Sequence, residues 1–167
     1  MRACLDVALA CGAICYDFEP NVYLVSFLKE FYKNNEKISV YQQALGVENK
    51  KVMFYNPGDD LISQGASVVK IDAWGHKDAY EVQMIDFCEF LQNLIQKHGK
   101  ITLIKLDIEG AEFEILEKII HEKLYKNVEY IMAETHERVF SDGDEKIKRL
   151  KDLIASNHIK NIFLDWI

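Results

Sequence analysis

The sequence predicts an α/β sandwich around a mostly parallel sheet. Two observations carry this. Short β-like apolar runs alternate with longer runs of helical periodicity from Ala13 onward, the pattern of strands joined by helical crossovers. In addition, Ile101-Thr102-Leu103-Ile104-Lys105-Leu106 is almost continuously apolar, as expected of a parallel strand covered on both faces. Right-handed crossovers then give a Rossmann-like arrangement.

Each element has a local reason. Ala13 to Phe18 reads as a strand, closed by Glu19-Pro20-Asn21. The proline opens a helix to about Lys33, because its missing N–H costs nothing there. Val22, Val25, Leu28, Phe31 and Tyr32 share one face of that helix. Ile38 to Gln43 is the second strand, stopped by Ala44-Leu45-Gly46. Lys51 to Tyr55, Ser67 to Ile71 and Tyr80 to Met84 read as three further strands, with turn-rich Asn56 to Asp60 after the first of them. Asp86 caps a helix from Phe87 to Lys97 that ends at Gly99. After the strand at 101–106 come a helix to about Leu124, a strand at 129–133, a helix from Asp144 to Ser156 and a last strand from Asn161 to Ile167.

Composition removes several function classes. The chain has 167 residues, 49% of them hydrophobic, which supports one domain with a sizeable core. Only 2 prolines and 8 glycines argue against disorder. A net charge of −7 disfavours binding to nucleic-acid phosphates. A charge interrupts each apolar run well before the roughly 20 residues of a bilayer crossing, so no membrane partner is expected. Met1 to Gly12 does not read as a signal peptide, since Asp6 breaks its short apolar stretch. Cys4, Cys11, Cys15 and Cys88 form no CxxC pair and read as reduced thiols of a cytoplasmic protein.

Ligands of open parallel sheets bind beyond the carboxyl ends of the strands. Here those ends carry Asp17-Phe18-Glu19-Pro20, Gln43-Ala44-Leu45-Gly46, Asp107-Ile108-Glu109-Gly110 and Glu134-Thr135-His136-Glu137. Three of the four bear carboxylates, and like charges crowded on one rim are costly unless something there offsets them. Glu19, at the tip of an early strand, can accept hydrogen bonds from both hydroxyls of a ribose. It reads equally as a turn carboxylate favoured by the dipole of the following helix. Asp107, Glu109, Glu112, Glu134 and His136 form a second group. Adjacent strand ends bring Asp107 and His136 within reach of each other. His136 then reads as a general base, the set as a divalent-metal site, or Glu109 and Glu112 as first-turn helix acids with His136 in a loop. His76, His98, His121 and His158 read as surface residues, Trp74 and Trp166 as packing, and Lys146 to Lys151 as a solvated helix face.

Phe18-Glu19-Pro20-Asn21, Ala44-Leu45-Gly46, Ile104-Lys105-Leu106-Asp107-Ile108-Glu109-Gly110-Ala111-Glu112 and Glu134-Thr135-His136 occur in this order. The series resembles the FkbM family of S-adenosylmethionine-dependent methyltransferases, over about residues 13 to 137. The resemblance implies a class I methyltransferase sandwich with S-adenosylmethionine as cofactor. Glu19, Pro20, Asn21, Gln43, Ala44, Leu45 and Asp107 would contact the cofactor, Glu19 through the ribose and 43–45 near the adenine. Asp107 and His136 would be catalytic, facing the methyl group and the acceptor, with no metal assigned. The implied reaction is O-methylation of a sugar or small-molecule hydroxyl, so the partner is a small-molecule or glycan acceptor.

The family normally opens with a strand and a glycine-rich loop, whereas only Gly12 precedes Glu19 here. Residues 1–167 are therefore expected to form a single, partial domain that lacks the first central strand, with Ala3 to Cys11 as the helix after that loop. Such a chain reads as a piece of a longer enzyme or as a short protein with a reorganised sheet. A catalytically inactive remnant acting as a binding module is the alternative function. An open sheet edge predicts association between copies. The segment 47–85 is expected to cover the acceptor.

Overall fold

A computed structural model describes residues 2–57, 66–69 and 76–164. In chain order the elements are α1 (Arg2–Ala10), β1 (Cys15–Phe18), α2 (Val22–Phe31), β2 (Ile38–Tyr41), β3 (Ala44–Gly46), β4 (Lys50–Pro57), β5 (His76–Asp86) and α3 (Phe87–His98). Then come β6 (Ile101–Leu106), α4 (Glu112–His121), β7 (Val128–Ala133), α5 (Gly143–Ser156) and β8 (Ile162–Phe163), with short 3-10 turns before and after β7.

The helix starts follow local chemistry. Asn21 Oδ1 accepts from the backbone N–H of Tyr23 and Leu24 and so caps α2. Asp86 does the same for α3 through Cys88 and Glu89. α3 stops at Gly99, whose φ of +82° only glycine adopts without strain.

The strands form three ladders. β1 pairs with β2 in parallel, from Cys15–Ile38 to Phe18–Tyr41. β6, β7 and β8 form a second parallel ladder in that order. In the third, β5 lies between β3, to which it is parallel, and β4, to which it is antiparallel. No ladder joins β1 to β6 among the described residues.

Three expectations need correction. Ala44-Leu45-Gly46 does not merely stop the second strand. It is a strand itself and pairs with Met84-Ile85-Asp86, a partnership no local signal announces. The second strand ends at Tyr41 rather than Gln43. The strand at 101–106 is not covered on both faces. Ile104 and Leu106 are buried, but Leu103 is 47% exposed, and Tyr130 and Phe163 on the neighbouring strands are exposed with it. Of the expected strand at 67–71, Ser67 makes an isolated bridge to Tyr55. Lys70, Ile71, Trp74 and Trp166 lie outside the described residues.

The main core sits on the helix-covered face of β6 and β7. Ile115, Leu116, Ile119 and Ile120 of α4 pack with Leu91 of α3, Leu106, Ile131 and Leu150 of α5. Each such side chain contributes about 1.5–3 kcal/mol on burial. Ala44, Phe54, Val82 and Met84 form a smaller cluster under the β3–β5–β4 sheet. Phe90 of α3 packs against the main core and meets the rings of Tyr16, Phe18 and Tyr41 edge-on. It thus ties the β1–β2 ladder to the rest. No helix of the described residues is long and apolar enough to cross a membrane.

Candidate active site

The carboxyl ends of β1, β6 and β7 converge on one cavity of about 490 Å³. At the end of β1 the backbone N–H of Glu19 donates to Tyr41 O at 3.0 Å, which carries the ladder one residue further. The residue is 4% exposed, and its carboxylate accepts from the backbone N–H of Asn21 at 2.8 Å. Burial pushes the Glu19 carboxyl up to about 7, against the pull of that hydrogen bond.

At the end of β6, Lys105 Nζ holds Asp107 at 2.6 Å. The chain then turns sharply through Glu109 (φ +54°) and Gly110 (φ +110°). A Cβ on Gly110 would stand 2.9 Å from the Phe140 ring. α4 has no side-chain cap at Ala111. Instead Glu112, 0% exposed, folds back. Its Oε2 accepts from Gly110 N at 2.8 Å, and its Oε1 accepts from His136 N at 2.9 Å.

At the end of β7, the N–H of Glu134 donates to Leu106 O at 3.0 Å. His136 follows, 1% exposed. Its Nδ1 lies 2.5 Å from Glu112 Oε1, and its Nε2 lies 3.3 Å from Glu109 Oε2 and 3.7 Å from Glu134 Oε1. Burial alone would lower the imidazole pKa. The Glu112 hydrogen bond and the Glu112 and Glu109 charges outweigh it and raise the pKa above the ordinary value.

Most of the residues singled out in the sequence meet here. Glu19, Pro20, Gln43, Ala44, Leu45 and Asp107 all line the cavity. Asn21 is spent on capping α2 and is fully buried. His136 lies behind the wall, with Glu109 and Glu134 lining the cavity in front of it. Donor atoms of Asp107, Glu109 and His136 all lie within 4.8 Å of one another, a spacing that one cation spans. Phe54, Ala66, Ser67 and Val68 supply part of the wall. Sequence reasoning missed Ser67. Its Oγ donates to Glu109 O at 2.7 Å, and no motif marks it. A second cavity, at α5 and β8, is lined by Lys151, Ile154, Ala155 and residues 162–164, with neither carboxylate nor imidazole among them.

The family model of the methyltransferase FkbM domain matches residues 3–158. The chain belongs to this family. No curated protein and no solved structure matches it. As an FkbM methyltransferase domain, the chain has the Rossmann-like architecture that its parallel ladders display. The strand ends gathered at the cavity are where such a sheet carries out its chemistry.

Proposed function

We propose that the chain transfers the methyl group of S-adenosylmethionine to a hydroxyl of a sugar or other small molecule. The observation that carries this reading is the placing of Glu19 and Asp107 in the walls of the same cavity. The residues fit the cofactor. The cavity falls within the usual range for small-molecule sites. Glu19 offers a buried carboxylate that would hold two ribose hydroxyls, and Leu24, Leu28, Ala44 and Leu45 give apolar wall for an adenine. When bound, S-adenosylmethionine supplies an electrophilic methyl group.

The chain must then align the acceptor oxygen and remove its proton. Asp107 stands at the cavity wall to orient the acceptor. His136 is the final proton acceptor. Glu112 fixes its ring through Nδ1, leaves Nε2 directed at the cavity side, and stabilises the imidazolium that forms.

A calorimetric titration with S-adenosylhomocysteine tests the reading. Micromolar binding that is lost in Glu19→Ala is the expected result. A folded chain that binds nothing would instead support the inactive binding module.

A further inference from the structure

Glu109 stands between His136 and the cavity. Its residue lines the cavity wall, and its Oε2 lies 3.3 Å from His136 Nε2. His136 is sealed behind it at 1% exposure. A hydroxyl in the cavity therefore meets a carboxylate before it meets the imidazole. Glu134 also faces Nε2, but at 3.7 Å and with 37% of its side chain exposed, against 14% for Glu109. Glu109 is both nearer and drier.

The backbone is held to present it. Glu109 has φ +54°, a conformation non-glycine residues seldom adopt and one that collects at functional sites. Ser67 Oγ clasps the Glu109 carbonyl at 2.7 Å. Ser67 is itself buried and anchored to Tyr55 by two backbone hydrogen bonds of 2.8 and 3.0 Å. Ser67, itself in the cavity wall, thus holds Glu109 by its backbone.

We infer that Glu109 is a catalytic residue of the methyl transfer, taking the proton of the acceptor hydroxyl and passing it to His136. The inference rests on the methyltransferase reading above. The acceptor O–H bond breaks, and its proton goes to a Glu109 carboxylate oxygen. The oxygen's electron pair forms the bond to the methyl carbon. The methyl–sulfur bond breaks with its pair going to sulfur, so the sulfonium becomes a neutral thioether. The proton then moves from Glu109 to His136 Nε2, and the Nδ1–H of the resulting imidazolium donates to Glu112. Four groups act on the charge of Glu109: Asp107 and Glu112 as anions, Arg138 as a cation, and His136 once it holds the proton. Burial, joined by the charges of Asp107 and Glu112, lifts the Glu109 carboxyl above the usual range, while His136 and Arg138 pull against it. A lifted carboxyl is the better proton acceptor near neutral pH.

Two variants test this. Glu109→Gln keeps the shape and removes the charge. Glu109→Gly suits the left-handed backbone and so guards against a mere folding failure. The readouts are S-adenosylhomocysteine binding, an NMR titration of the His136 ring, and transfer of labelled methyl to a mixed panel of phenols and methyl glycosides. Both variants should still bind S-adenosylhomocysteine, which shows that they fold. The His136 midpoint should fall by about one unit in Glu109→Gln, as the loss of a facing carboxylate demands. Transfer should drop by about 100-fold or more and be partly restored by formate in Glu109→Gly alone. Transfer undiminished in Glu109→Gln overturns the inference, and so does a His136 midpoint that the substitution leaves unmoved, a readout that needs no acceptor. So does wild-type transfer that depends on added magnesium or manganese and whose metal affinity disappears in Glu109→Gln, since Glu109 would then hold a cation. A folded wild type that fails to bind S-adenosylhomocysteine removes the methyltransferase reading beneath it, and is told apart by that.

Discussion

Glu112 Oε1 lies 2.5 Å from His136 Nδ1 and 2.9 Å from the His136 backbone nitrogen, although the two residues are 24 positions apart. With Gly110 N on its other oxygen, this one buried carboxylate joins the end of β7, the turn after β6 and the start of α4. Glu112→Ala would leave three N–H donors without an acceptor. Unsatisfied buried donors cost about 1–3 kcal/mol each, so a loss of at least 3 kcal/mol is expected in urea unfolding.

Glu112→Gln separates the charge from the packing. The glutamine keeps an acceptor oxygen but loses the charge that raises the His136 pKa against burial. A raised histidine pKa means that the folded state holds the proton more tightly than the unfolded one. That stabilisation is complete below the unfolded value of about 6.5 and is lost as pH rises through the folded one. The variant should therefore lose stability chiefly below pH 6.5 and show a flatter decline above it. Unfolding free energies at several pH values check this, and an equal loss at every pH would speak against the charge effect.

Glu19 behaves in the opposite sense to a salt-bridged acid. Burial pushes its carboxyl up to about 7, so the folded state binds the proton more tightly. Stability falls as pH rises from the ordinary glutamate value of about 4.3 toward 7, and the full penalty remains above that. Glu19→Gln should consequently be more stable than the wild type at pH 8, on the order of 2 kcal/mol, with the gain gone below pH 4. The same variant should bind S-adenosylhomocysteine at least about tenfold more weakly, since hydrogen bonds to a charged acceptor contribute 1.5–3 kcal/mol. Wild-type affinity should also rise as pH passes 7 upward. A variant that gains no stability at pH 8 would show that the carboxylate is not strained by burial.

What was legible in the sequence is what local chemistry decides. Asp86 announces α3 because its side chain bonds the N–H groups two and three residues on. The carboxylates at the ends of β1, β6 and β7 are legible because a strand followed by a helix places its last residues on one rim. The role of Glu112 was open, since first-turn helix acids are ordinary, and only the return of β7 alongside β6 brings His136 to it. β3 was illegible for a related reason. Three residues carry too little pattern to read as a strand, and their partner Met84-Ile85-Asp86 lies about forty positions away. The left-handed backbone of Glu109 gives no compositional signal either, because Gly110 beside it accounts for the turn.

Gly110 itself should tolerate no side chain. Its φ is +110°, and a Cβ would meet the Phe140 ring at 2.9 Å. Gly110→Ala is expected to cost about 2 kcal/mol from backbone strain alone, or a fall in Tm of roughly 4–8 °C, with the contact to Phe140 adding to it. Gly99→Ala is the control. It also sits at positive φ (+82°), but nothing lies within 4 Å of its added Cβ. The Gly110 variant should be the less stable of the two and should also shift the His136 titration, because the Gly110 N–H helps to hold Glu112. Equal Tm values for the two would mean that Phe140 yields freely.

Phe90 tests how the two halves of the sheet are joined. β1 pairs with β2 and β6 with β7, with no described ladder between them, so their relative position rests on packing. Phe90 makes the ring contacts to Tyr16, Phe18 and Tyr41, with centroids at 5.7, 4.9 and 6.0 Å. Each aromatic pair is worth about 0.5–1.5 kcal/mol beyond area burial, so Phe90→Ala should lose at least about 2 kcal/mol. Because Phe18 lines the cavity and Glu19 follows directly on it, the same change should weaken S-adenosylhomocysteine binding although Phe90 does not itself line the cavity. Phe90→Leu, which keeps apolar volume but not the ring, should recover most of the stability and less of the binding. Hydrogen exchange at β1 amides gives the local readout. Faster exchange in β1 and β2 with β6 and β7 unchanged is expected, whereas uniform acceleration would show that Phe90 supports the main core and not the junction.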